Sequence, residues 1–281
     1  MREFYVGNIY ISIIMKNIDL IYIDEANRDK ITIYHQLRDK SFSKDNSFIA
    51  DSPKVVNILL QTDIEVKSIL ATQDYYDEFK ELILNKNIDN LFVISKDEMQ
   101  NIIGHKIHHN CMMHGIRPKM SLIKDLDESI IMLDEITSTE NVGSIARSAA
   151  ALGVYSYLLP RQAPHPYSRR ALRVSMGHIT KLKYHIYNDI FETIAFLKVN
   201  GYKIFAAEVV EDSISLMEVK IPKKWVLLMG HEGKGLSQEV LAACDASVKI
   251  EMEADVRSFN VAVAASIMMY QFKNGYNCIN N

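Results

Sequence analysis

Three short segments in the C-terminal half of this 281-residue chain carry residue types and spacings suited to chemistry. The first is Asn141-Val142-Gly143-Ser144-Ile145-Ala146-Arg147, which follows an apolar run. Asn141 is placed to cap a helix, and Gly143 lets the backbone turn tightly. Arg147, on the first turns, can meet a phosphate or a ribose hydroxyl with its planar fork of donors. Taken alone, an arginine there is ordinarily a surface ion-pair partner. The second is Gly230-His231-Glu232-Gly233-Lys234-Gly235-Leu236. Its glycines let a ligand meet bare backbone amides, and a central glutamate is an odd choice for a mere connector. It has neither the GxxxxGK[ST] phosphate cradle nor the GxGxxG spacing of dinucleotide folds, which removes a nicotinamide cofactor. The third is Ile250-Glu251-Met252 followed by Ser258-Phe259-Asn260-Val261. Ser258 or Asn260 caps the next helix. That helix carries Val261, Val263, Ala264, Ala265, Ile267, Met268 and Met269, so it is apolar on most faces and predicted to be buried.

Between the first two segments lies a basic run without an acid: Arg161, His165, Arg169, Arg170, Arg173, His178, Lys181, Lys183 and His185. Such a run is ordinarily a solvated face, but in a net-acidic chain it offers a polyanion a docking site. The formal net charge is −3, from 32 basic and 35 acidic residues, which argues against a protein that coats nucleic acid indiscriminately. His105, His108, His109 and His114 surround Cys111 with no standard zinc spacing, so RNA contact or a surface position is expected there and no metal. The three cysteines are scattered and suit a reducing cytosol. The apolar stretch 5–15 is too short to span a bilayer and no small-residue cleavage site follows it. It reads as a start-site extension or a core strand, and no membrane association is expected.

These segments need elements to hold them. Before residue 118 the pattern is mixed: strands at 20–23, 66–71 and 91–95, helices at 31–39, 53–61 and 75–84. This gives a small α/β sandwich over residues 1–122. From 123 to 281 the alternation is stronger, with strands at 130–135, 155–159, 182–186, 203–207, 225–229 and 247–251. Helices lie between them at 143–152, 168–176, 190–200 and 237–243, and a last one at 260–272. Strands alternating with helices imply a parallel sheet covered on both faces, with ligands beyond the carboxyl ends of its strands.

The three motifs resemble those of the SpoU (TrmH-like) RNA ribose 2′-O-methyltransferases of the SPOUT superfamily, whose pattern is NxGxxxR, GxEGxGL, then IPM and SLN. The first two match fully. In the third, Glu251 stands where proline is usual and Phe259 where leucine is usual. Arg173 to Gly177 is also similar, and residues 1–122 more weakly resemble an L30e-like substrate-binding domain. The resemblance implies a C-terminal deep trefoil knot, S-adenosylmethionine as methyl donor, rRNA or tRNA as substrate, a homodimer and a cytoplasmic location. It maps cofactor contacts to Gly230, Ile250 and Phe259, with Ala206, Ala207 and Glu208 lining the same pocket. RNA contacts fall on Arg161, Arg169, Arg170 and Arg173. The catalytic set it implies is Arg147, Glu232, Ser258, Asn260 and Asn141. A guanidinium has a pKa above about 12, so Arg147 is read as a phosphate clamp that stabilises the developing alkoxide, not as a free base. Glu232, Ser258 and Asn260 would position it, Glu232 through a charge-assisted pair. The competing readings are a SPOUT-type base methyltransferase and a noncatalytic RNA-binding factor.

Overall fold

The computed structural model of the chain describes residues 2–6, 9–13, 18–35, 45–103, 110–256 and 258–279. It divides into two compact units, residues 1–116 and 117–281. The division lies six residues before the expected one at 122/123. The physical reason is a clasp within the second unit: Tyr184 Oη donates to Pro118 O (2.6 Å) and Ser121 N donates to Tyr184 O (2.8 Å).

The first unit begins with a hairpin, β1 (Arg2–Val6) and β2 (Ile9–Ile13), paired antiparallel in a sheet of its own. Then come β3 (Ile21–Tyr22), a 3₁₀ turn at Arg28–His35, β4 (Ser47–Asp51), α1 (Pro53–Leu60) and β5 (Val66–Ala71). They are followed by α2 (Gln73–Glu78), α3 (Lys80–Leu84), β6 (Ile88–Val93), α4 (Lys96–Ile103) and β7 (Cys111–Ile116). The sheet order is β3-β6-β5-β7-β4, parallel from β3 to β5 and antiparallel beyond. The expected helix at 31–39 is this 3₁₀ turn as far as His35, and its last residues lie outside the described ones. Strands β4 and β7 were not evident in the sequence. Ser47-Phe-Ile-Ala-Asp51 ends in polar residues, and Cys111-Met-Met-His-Gly115 lacks the β-branched side chains that mark a strand. Yet Phe48, Ile49, Met112 and Met113 are wholly buried, so tertiary packing decides their conformation.

The second unit contains β8 (Ser129–Leu133), α5 (Thr139–Leu152), β9 (Ser156–Pro160), α6 (Arg169–Val174), a 3₁₀ turn at His178–Lys181 and β10 (Lys183–Tyr187). It continues with α7 (Ile190–Val199), β11 (Lys203–Ala207), β12 (Ile214–Ser215), β13 (Trp225–Met229), α8 (Gln238–Ala243), β14 (Ala246–Lys249) and α9 (Val261–Ile279). The seven strands pair in the order β10-β9-β8-β13-β11-β14-β12, every pair parallel. The apolar centre of β8, all of β9 and all of β13 are buried, as a sheet covered on both faces requires. From β8 the chain winds outward through β9 and β10, then crosses to β11 on the far side. The order therefore reverses between β8 and β13, which places a binding crevice at their carboxyl ends.

Helix α9 departs from the expectation of burial all round. Ala262, Ala265, Met268, Met269 and Phe272 are buried on one face, where Phe272 meets Trp225 and Phe205 edge-on at 5.1 and 5.2 Å. Val263, Ile267 and Tyr270 on the opposite face are 47%, 38% and 61% exposed. Among the described residues no helix is long and apolar enough to cross a membrane.

Candidate active site

The crevice at the β8–β13 reversal gathers all three motifs. Helix α5 leaves β8, and the loop 230–236 leaves β13. Ser138, not Asn141, caps α5, its Oγ accepting from Asn141 N at 3.2 Å. Asn141 is thereby freed to turn its amide inward, where it is 8% exposed. Gly143 lies within the helix and serves close packing rather than a turn: a Cβ there would stand 2.8 Å from Ala171 O and 2.9 Å from Val174 Cβ of α6.

The Glu232 carboxylate accepts from Ser138 N (3.0 Å), Thr137 N (3.3 Å), Thr137 Oγ1 (3.2 Å) and Asn141 Nδ2 (3.0 Å). Burial alone would raise its pKa; the donors from Asn141, the loop's own backbone, Ser138 and Thr137 outweigh it and hold the group at about 2. An ionised carboxylate only accepts, so it fixes the direction of everything behind it. Asn141 must turn Nδ2 to Glu232, and its Oδ1 then accepts from Asn260 Nδ2 at 3.2 Å. Asn260 in turn uses Oδ1 to accept from Ala262 N at 2.9 Å, which makes it the cap of α9. One polar chain thus ties the second motif to the first and the first to the third.

The glycine loop is closed on itself and anchored from β11. His231 and Gly235 exchange backbone hydrogen bonds at 3.2 and 3.0 Å, and His231 Nδ1 accepts from Gly233 N and Lys234 N. Glu208 Oε2 accepts from Leu236 N at 2.9 Å. Gly235 has φ +68°, and a Cβ on it would run into the Glu208 carboxylate.

Beside this loop lies a cleft of about 760 Å³. Of the expected cofactor residues, Ala207, Gly230, Ile250 and Phe259 line it, as do Glu208 and Ser258. Ala206 does not: it is fully buried in the core with Leu228 and Val226, because alternate residues of a strand face opposite ways. Glu251, in the usual proline position, is exposed, and a hydrogen bond from Ser215 holds its carboxyl below the usual range. Ser258 sits at the cleft wall and does not cap α9.

The anticipated Arg147–Glu232 pair is absent. Arg147 is exposed on α5 and forms no hydrogen bond or ion pair among the described residues. It stands six residues past Asn141, roughly 9 Å along the helix axis, and the Glu232 oxygens are already taken. The basic run is also less free than its composition suggests. Arg170 pairs with Glu140 (2.9 Å) and Lys183 with Asp127. His165 is pushed down to about 3, by burial and then by Arg117. Arg161 is exposed, and Arg169 and Arg173 are half-buried. Of the histidine cluster, His114 lies in β7 with Nε2 2.8 Å from the Ser47 hydroxyl, while His105, His108 and His109 lie outside the described residues. The sequence reading passed over Thr137 and Ser138, whose signal was the polar triplet Thr137-Ser138-Thr139 directly before a helix.

The model of the SpoU rRNA methylase family matches residues 128–270, which hold all three motifs and the sheet that positions them. The chain belongs to the SpoU family. It is 27% identical over 187 residues to a 23S rRNA (guanosine-2′-O-)-methyltransferase, RlmB, of Acinetobacter baylyi, covering 63% of this chain and 75% of that one. It is 32% identical over 148 residues to a putative TrmH family tRNA/rRNA methyltransferase of Staphylococcus saprophyticus, covering 53% and 59%. In fold it is similar to an AdoMet-bound rRNA methyltransferase of Sinorhizobium meliloti, with TM-score 0.79 and 19% identity over 91% of this chain and 98% of that one. A putative RNA methyltransferase of the TrmH family from Porphyromonas gingivalis gives TM-score 0.76 at 21% identity, over 88% and 97%. This SpoU protein therefore has the α/β fold of those methyltransferases, its parallel sheet included.

Proposed function

We infer that this SpoU protein is an S-adenosylmethionine-dependent RNA methyltransferase acting on a ribose 2′-hydroxyl of ribosomal or transfer RNA. The observation that carries the reading is the Glu232–Asn141–Asn260 chain, which holds all three motifs at one rim of the cleft. The cleft fits the cofactor. Its volume is that of a pocket for a mid-sized ligand. Ile250, Phe259 and Met268 offer an apolar wall for an adenine, and Glu208, Glu251 and Glu253 offer negative charge to a cationic donor. Bare backbone at Gly230 and Ile250 would hold it, and when bound it supplies an electrophilic methyl group.

The chain's own residues provide the alignment. Orientation of the reacting groups can supply several kcal/mol of a transfer barrier. Glu232 and Asn141 rigidify the start of α5, and Asn260 fixes the start of α9. Arg147, exposed and without a partner among the described residues, is available to grip the RNA phosphate and to stabilise the alkoxide that forms. Ser258 stands at the cleft wall beside the incoming ribose. Arg169, Arg170 and Arg173 lie on α6 and Arg161 directly follows β9, and all four would meet the backbone of the RNA.

Four further assignments belong to the same reading. A trefoil knot is supported by β14 pairing between β11 and β12 before the chain returns to pack α9 against α5 and β13. A homodimer is supported by exposed Val263, Ile267 and Tyr270. The first unit is an L30e-like RNA-binding domain, and the enzyme works in the cytoplasm. Mapping 2′-O-methyl positions in ribosomal and transfer RNA from cells with and without the gene tests the whole reading. A site that loses its methyl group is expected; identical maps would count against it.

A further inference from the structure

A second cleft, of about 610 Å³, lies wholly within the first unit. It opens where β3, β6 and β5 end, at a reversal of winding. From β5 the chain passes through α2 and α3 to β6 on one side. From β6 it passes through α4 to β7 on the other. Crevices at such reversals are where ligands bind in parallel sheets.

Among the described residues, two buried polar atoms in this cleft lack partners. Thr72 is 8% exposed, and its Oγ1 makes no hydrogen bond although it stands at the head of α2, where a cap would ordinarily be made. Asn110 Oδ1 is likewise without a partner. The two residues are neighbours across the sheet, Thr72 N donating to Asn110 O at 3.0 Å, so both side chains flank one spot. Each unpaired buried polar group carries a desolvation cost that a ligand would relieve. Tyr22 stands at the rim, 62% exposed, its ring steadied by an Oη hydrogen bond to Gln73 Oε1 at 2.7 Å. The charged side chains in the lining are Asp74, Glu98 and Lys96, an acidic balance that disfavours phosphate.

We propose that this cleft receives a single unstacked nucleobase of the RNA substrate. The base lies against the Tyr22 ring, and its edge bonds to the Thr72 hydroxyl and the Asn110 amide. A hydroxyl next to a carboxamide suits a base edge, which presents donors and acceptors side by side. Aromatic stacking with edge hydrogen bonds is how proteins read unpaired RNA bases. The proposal rests on the RNA methyltransferase reading and deepens it, since it states how the first unit would select its substrate.

The test uses the full-length protein and fluorescent oligoadenylate, oligocytidylate and oligouridylate, with a blunt RNA duplex as comparison. Thr72→Val removes a hydroxyl that bonds no other described residue, so folding stability is kept. Thr72→Val and Asn110→Ala should each weaken the preferred single strand roughly threefold to tenfold. The slope of affinity against salt should stay unchanged, because no phosphate contact is lost. Tyr22→Ala should reduce binding of all three single strands alike. Wild-type affinity in Thr72→Val and Asn110→Ala, or a preference for the duplex, overturns the proposal, as does an altered salt slope. If the methyltransferase reading itself were wrong, the wild-type protein would fail to bind S-adenosylmethionine in calorimetry, a result none of these three substitutions affects.

Discussion

Glu232 is the residue on which the site turns, and its ionisation gives the polar chain its direction. Its carboxyl is held at about 2 in the folded state against an ordinary value of 4.5. Between those values the unfolded chain binds the proton and the native chain does not. The stabilisation is therefore complete above about pH 4.5 and is lost as the pH falls through about 2. In urea denaturation, Glu232→Gln should remove this segment of the acid dependence; wild-type acid sensitivity in the variant would contradict the assignment. Arg147 has the opposite character, exposed and uncommitted among the described residues. Arg147→Ala should bind S-adenosylmethionine with unchanged affinity in calorimetry and lose turnover about 10²-fold or more. Equal turnover would remove Arg147 from the chemistry. Both residues were legible from motif spacing alone, but their relation was not. The sequence pairs a glutamate with an arginine by charge, whereas the fold gives the glutamate four neutral donors first.

At the scale of elements, the second unit was readable because each of its buried strands is an apolar run with a polar loop after it. The first unit was less so. Strand β7 is methionine-rich and β4 is edged with polar residues, and only their buried place in the sheet makes them strands. The loop 230–236 shows the reverse case, where the glycines were visible and the reason for one of them was not. Gly235 is needed for its positive φ and for the Glu208 carboxylate pressed against it. Gly235→Ala should strain the loop and weaken cofactor binding by about tenfold, ~1.4 kcal/mol, in titration calorimetry. At the start of α5, Ser138→Ala removes the side-chain cap on Asn141 N and leaves the backbone N–H that Glu232 accepts from. A loss of about 1 kcal/mol in unfolding free energy is expected.

For the whole molecule, the exposed face of α9 is the feature the sequence misplaced. Its apolar residues suggested a helix sunk in the core, but only one face is covered within the chain. Periodicity cannot distinguish a face buried by the same chain from one buried by a second copy. Analytical ultracentrifugation should find a dimer, and Ile267→Glu should shift it to monomer without loss of helical signal; a wild-type monomer would contradict this. Methyl transfer to a ribose hydroxyl at the cleft beside the Glu232–Asn141–Asn260 chain is open to direct test. The most direct measurement incubates the protein with methyl-labelled S-adenosylmethionine and unmodified RNA, then digests the RNA with alkali. Label is expected in alkali-resistant dinucleotides, and Arg147→Ala should abolish it. Label recovered in a modified base, or none transferred although the cofactor binds, would contradict it.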